Sequence, residues 1–173
     1  IYLSTWDYCI DNNLVSFLQN HNIKLIASKF KKPKVGYKNN NLQITGNEKG
    51  LELIIKDNIK YSLSTRTDQR LYSTNILLYL KNLISIYPYE KSSNRDHQEN
   101  RLVAMSFDTF MFRLYGLGDM FLFGLTKDVY NYWNNGEDTR IFKKDFYNKP
   151  LSLKSIAKLR EAEVYFMTEF LKR

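Results

Sequence analysis

Apolar and polar positions along this chain follow two rhythms, one of period two and one of period three to four. Residues 1–5 (IYLST) and 23–27 (IKLIA) are apolar runs of strand length. Between them Ile10, Leu14, Phe17 and Leu18 recur at i, i+4, i+7 and i+8, the face of a helix that Asp11 or Asp7 can cap. Strand, helix and strand in so few residues predict a βαβ unit, because parallel strands need a crossover. Such a unit is the usual nucleotide-binding half. Further on, Tyr61, Leu63 and Thr65 alternate with Ser62, Ser64 and Arg66, which predicts a central strand.

The longer period governs the segments around that strand. Ile44, Leu51, Ile54 and Ile55 share one helical face, with Thr45 or Asn47 as cap. Asn41 and Gln43 then stand at the amino-terminal approach, where free N–H groups favour phosphate. Ile76, Leu77, Leu80, Leu83, Ile84 and Tyr87 mark the clearest helix, ended by Pro88. Residues 89–100 are polar and read as a loop, and 101–107 (RLVAMSF) as a buried strand that Asp108 ends. Residues 110–123 read as an aromatic loop carrying Gly116, Gly118 and Asp119. Its Gly-Leu-Gly lacks the third glycine and the preceding strand of a dinucleotide fingerprint. Thr126 caps a helix with Val129, Tyr132 and Trp133 on one face, which residues 134–137 (NNGE) stop. Two helical stretches follow Ser152, the second over 161–171. The whole predicts one α/β domain, a mostly parallel sheet of strands 1–5, 23–27, 61–66 and 101–107 with flanking helices.

Composition narrows the class. A length of 173 residues suits a single domain, and 43% hydrophobic with 15% aromatic residues supplies a core and excludes disorder. The formal charge of +8 favours polyanions: nucleotide phosphates, nucleic acid or an acidic membrane surface. Cys9 is the single cysteine, which excludes an internal disulfide and a cysteine-based zinc site and fits a reducing, cytoplasmic compartment. His21 and His97 lie in unrelated contexts, and no apolar run has the length of a membrane span. A start on a strand, without an initiator methionine, suggests a fragment of a longer product. Residues 29–38 (KFKKPKVGYK) form a basic loop with Phe30 and Tyr37 interleaved. Charge and rings together suit single-stranded nucleic acid, and a solvated loop explains them equally.

The candidate chemistry gathers where the central strand ends. Ligands of open α/β sheets bind beyond the carboxyl ends of the strands, so Arg66 and Asp68 are placed for an anionic ligand and for a metal or hydroxyl. A loop cap explains the same pair. Asp119 follows the strand at 101–107, and adjacent parallel strands would bring it to the edge that holds Asp68.

Five motifs occur in order along the chain: S-T-W at residues 4–6, N-x-x-x-T-G-x-x-x-G-L-E from Asn41, S-T-R-T-D-Q-R from Ser64, L-G-D-M-F-x-F-G-L-T-K-D from Leu117, and E-A-E-V-Y-F-M-T-E-F-L from Glu161. Together they resemble the WavE-type lipopolysaccharide and capsular polysaccharide synthesis proteins. The resemblance implies a glycosyltransferase of GT-A-like architecture that takes a nucleotide-sugar donor and a surface glycan acceptor. Implied donor contacts are Thr5, Trp6, Asn41, Gln43, Arg66, Asp68 and Gln69. Asp68 and Asp119 are the implied catalytic pair, with Asp119 as base or as ligand of sugar hydroxyls. Tyr115, Phe121 and Phe123 can stack on sugar faces or fill the core.

Metal-dependent GT-A enzymes usually present a D-x-D pair, whereas Thr65-Arg66-Thr67-Asp68 offers one carboxylate. Either Asp68 shares a divalent cation, manganese or magnesium, with the diphosphate, or Arg66 supplies the charge itself. The basic loop after residue 28 stands where an Asp-Pro-Gly turn is expected. Two other functions compete. One is a nucleic-acid-binding module, although no RNP-like motif occurs. The other is a non-catalytic member of a polysaccharide assembly complex.

Overall fold

The computed structural model describes residues 1–30, 36–90, 97–106, 114–141 and 160–172, with isolated positions between 148 and 158. Most of the basic loop, Phe107 with Asp108, and the first helical stretch after Ser152 lie outside these residues. The chain divides into two compact units: Ile1–Ile59 with Gly136–Phe142, and Lys60–Asn135 with Lys143–Arg173.

The first unit is the expected βαβ. Strands β1 (Tyr2–Trp6) and β2 (Lys24–Ser28) pair in parallel, Tyr2 against Lys24 through Trp6 against Ser28, and α1 (Asn12–Asn20) makes the crossover. Asp11 caps α1, accepting from Leu14 N–H at 2.7 Å, because that side chain satisfies a donor the first turn leaves open.

Helix α2 (Asn40–Lys56) begins ahead of Thr45 and Asn47, the caps expected from the pattern. A 3₁₀ turn over Tyr37–Asn39 feeds it, with Lys38 and Asn39 both at positive φ, 49° and 67°. Asn41 and Gln43 therefore lie within its first turn rather than ahead of it. Left-handed backbone at two consecutive residues is a turn signal that apolar spacing does not carry.

Helix α2 runs antiparallel to the two strands. Asp57, just past its end, accepts from Tyr2 Oη at 2.5 Å and Lys24 Nζ at 2.6 Å, at the starts of β1 and β2. Ten residues into the helix, Gly50 lies against Ser4 of β1, where an added Cβ would stand 3.6 Å from the serine Cβ. The amino end of α2 is thereby directed to the carboxyl end of the parallel pair. Leu18, Ile44 and Leu51 are buried in this unit.

The second unit departs from the expectation. Strand β3 (Tyr61–Thr65), helix α3 (Ile76–Ile86), strands β4 (Val103–Ala104) and β5 (Phe121–Leu125), and helices α4 (Thr126–Trp133) and α5 (Ala162–Leu171) follow in sequence. The sheet is antiparallel, with β5 between β3 and β4. Of the four segments expected in one mostly parallel sheet, only the first two pair in parallel; the other two flank β5 in a separate sheet.

The physical reason is β5 itself. Residues 121–125 (FLFGL), the first three of them expected in a loop, carry four buried residues of five. A central strand buried on both faces shows no alternation, so the period of two is silent there. Once formed it needs hydrogen-bonding partners along both edges. The fold is thus mixed α/β.

Alternate residues of β5 serve opposite faces. Phe121 and Phe123 pack with Leu80 and Ile84 of α3, joined by Tyr61, Leu63 and Val103. Gly124 takes the other face, where a Cβ would come within 2.5 Å of Leu102 Cδ2. Helix α4 follows β5 directly, with Thr126 as its first helical residue rather than its cap. Its Val129, Tyr132 and Trp133 are fully buried, and Trp133 meets Phe166 of α5 at 5.1 Å between ring centres. Among the described residues no helix is long and apolar enough to cross a membrane.

Candidate functional site

The end of β3 and the entrance to β5 form one edge of the second unit. Thr65 is paired with Phe121, so the chain leaving β3 through Arg66 and Asp68 lies beside the chain entering β5 through Asp119. The expectation that Asp68 and Asp119 share an edge is met by antiparallel pairing, not by the parallel neighbours that motivated it.

Arg66 and Asp68 form a forked pair: Nε donates to Oδ1 at 3.0 Å and Nη2 to Oδ2 at 2.6 Å. Both side chains are more than half exposed. The fork is strong because donor and acceptor are both ionised and meet at two points, and the exposure screens it. Asp68 holds the guanidinium above its usual range, and the negative charge of Asp119 adds to the effect. In return, Arg66 holds the Asp68 carboxyl below its usual range. Gln69 closes the turn, its N–H donating to Arg66 O at 3.2 Å and its Oε1 accepting from Thr65 Oγ1 at 2.7 Å.

Asp119 is half-buried and follows Gly116 and Gly118, which are buried. On its inner side lies a group that the sequence pattern gives only as core. Among the described residues the buried Tyr132 hydroxyl has no hydrogen-bond partner, and burial pushes it well above the ordinary phenol value, with the charges of Asp119 and Glu163 adding. Asp119 thus acts electrostatically on Arg66 at the surface and on Tyr132 within. Of the three rings read as sugar platforms, Phe121 and Phe123 are core, while Tyr115 is exposed, with φ at 61°.

Both carboxylate oxygens of Asp68 are engaged by Arg66. Among the described residues no group of three His, Cys, Asp or Glu side chains is arranged to hold a metal ion. Magnesium-type sites are often completed by one or two carboxylates and substrate phosphates, a scheme Asp68 fits once it leaves Arg66.

The remaining expected residues belong to the first unit. Thr5 and Trp6 end β1, and Trp6 is half-buried with its ring edge-to-face on Phe30 at 5.7 Å. Gln43 lends its carbonyl to Asn47 Nδ2 at 3.0 Å within α2. Asn41 is committed internally: its Nδ2 donates to Asp138 O at 2.9 Å and its Oδ1 accepts from Asp138 N–H at 2.6 Å.

Asp138, Arg140 and Asn40 were not legible as a site. The Asp138 carboxylate is fully buried and accepts from Asn40 Nδ2 at 2.9 Å, Arg140 Nε at 2.8 Å and Arg140 Nη2 at 2.7 Å. Burial pushes it up, but the Arg140 and Asn40 donors outweigh that and leave it below its usual range. Arg140 also lies over the Tyr37 ring, 4.9 Å from its centre. Their separation in sequence, nearly a hundred residues, leaves no local pattern to read.

No protein family, curated protein or solved structure matches the chain. The WavE-type resemblance stands on the motifs alone.

Proposed function

We propose that this chain is a glycosyltransferase, moving a sugar from a nucleotide-sugar donor to a lipopolysaccharide or capsule glycan. The observation that carries the reading is the edge shared by Arg66, Asp68 and Asp119, which pairs a guanidinium fork with a half-buried carboxylate. A GT-A-like nucleotide-sugar domain belongs to the same proposal, and the parallel β1-α1-β2 unit supports it. Compartment and partners follow from it: a cytoplasmic enzyme, the donor, and a membrane-linked glycan.

Arg66 is the group for the leaving diphosphate, since a planar fork matches two phosphate oxygens as it matches a carboxylate. Asp68 occupies that fork in the free chain. A diphosphate arriving at Arg66 displaces Asp68, which is then the residue that would hold a divalent cation. Such a cation supplies positive charge on the diphosphate. Asp119 takes the acceptor proton as general base, its charge balanced by Arg66.

Thermal-shift screening over nucleoside diphosphates, with and without manganese, tests the reading. Stabilisation by a diphosphate that Arg66→Ala removes is the expected result. No shift across the panel, with stabilisation by single-stranded nucleic acid instead, would transfer the assignment to a nucleic-acid-binding module.

A further inference from the structure

Helix α3 is apolar around most of its circumference, and among the described residues one side of it packs into a core. Leu80 and Ile84 are buried on the sheet, with Ile76 and Leu83 packed beside them. Leu77, Leu78, Tyr79 and Ile86 are 53–66% exposed, and Tyr72 before the helix and Tyr87 at its end are exposed as well. Scattered surface leucines need no explanation, but this many large apolar side chains on one short element mark an interaction face.

The charge pattern selects the occupant. From Gln69 to Tyr89 the chain has no Asp or Glu, while Arg70 and Lys81 are exposed there. The Arg101 guanidinium is tethered at the helix end, its Nε donating to Pro88 O at 3.0 Å. An apolar segment without acidic residues, bounded by Asp68 and Glu90 and carrying exposed cations, in a chain of net charge +8, complements an anionic lipid interface. Tyr72, Tyr79 and Tyr87 add rings with an apolar body and a polar tip, the kind that collects at headgroup level. Eleven residues make a helix of roughly 16 Å, too short to span the hydrocarbon and suited to lying along it.

We propose that the outer face of α3, centred on Leu78 and Ile86, seats the protein on an anionic membrane surface. The inference rests on α3 with its flanking residues and is independent of the reading of Arg66 and Asp119.

Flotation with phosphatidylglycerol–phosphatidylcholine vesicles, against phosphatidylcholine alone, tests it on the 173-residue chain. Binding to the anionic vesicles is expected, weakened about tenfold or more in the L78Q/I86Q double variant, which removes two partly inserted side chains. Lys81→Gln is expected to weaken it about fivefold and to leave the fold untouched. Failure of the parent chain to float with anionic vesicles overturns the proposal. So does equal flotation of parent and double variant, which would put the contact elsewhere. A dimer in sedimentation velocity that the double variant dissolves, without lipid binding, would make the face a self-association surface and also overturn it.

Discussion

Arg66 grips Asp68 through both carboxylate oxygens, at 3.0 and 2.6 Å, two residues apart on the turn that leaves β3. On the proposed reading the pair is a closed form of an anion site, with the guanidinium positioned and provisionally neutralised. Removing the carboxylate has opposite consequences with and without a cation. In metal-free buffer Asp68→Ala is expected to tighten inorganic pyrophosphate, because the fork no longer has to be vacated. With manganese present the same variant is expected to bind a nucleoside diphosphate more weakly than the parent. Calorimetric titration in the two buffers reads both signs.

Asp119 is expected to separate binding from chemistry. Asp119→Asn keeps its size and place at the entrance to β5 but cannot accept a proton, so donor affinity is spared while transfer falls by about a hundredfold or more. Equal loss of donor affinity in Asp119→Asn and Arg66→Ala would contradict the division of roles.

In the first unit, Asp138 joins the segment at 136–142 to the amino end of α2. Asp138→Ala leaves Arg140 and Asn40 without their shared acceptor and is expected to cost about 3 kcal/mol, read by urea unfolding. The pH dependence has a definite sign. The folded carboxyl lies below its ordinary value, so its contribution is full above about pH 4 and is lost as the pH falls through the folded value. The variant should be less stable than the parent at pH 6, and the difference should narrow as the pH falls below the ordinary carboxyl range.

Asp128 serves the second unit differently. Its buried carboxylate accepts from the N–H groups of Glu99 and Asn100, both at 2.8 Å, docking the loop before β4 onto α4. Burial raises its carboxyl above the usual range despite these bonds. Asp128→Ala leaves both donors unpaired, at about 2 kcal/mol. Hydrogen exchange at Glu99 and Asn100 is expected to accelerate, while exchange within β1 and β2 stays unchanged.

What was legible in the sequence followed from local signals. Asp11 capping α1, the crossover between β1 and β2, the strand expected at 61–66 and found at Tyr61–Thr65, and α3 ending before Pro88 each rest on residues within one turn or one strand. Strand β5 was not legible, because Phe121 to Phe123 are buried on both faces and give no alternation. Missing it put β3 and β4 in the wrong sheet. The early start of α2 was hidden in the left-handed Lys38 and Asn39. Of the candidate site, Arg66, Asp68 and Asp119 were found at one edge, whereas Asp138 and Arg140 were missed, since only the fold brings them to Asn40 and Asn41.

The central claim is that Arg66 is the receptor for a nucleotide diphosphate. Titration of the chain with UDP and with the other nucleoside diphosphates, in parallel with Arg66→Ala, tests it most directly. Loss of charged hydrogen bonds to phosphate costs about 1.5–3 kcal/mol, so the expected result is measurable binding that weakens at least tenfold in the variant. Binding of equal strength in parent and variant, or no binding by the parent to any diphosphate, would contradict the account.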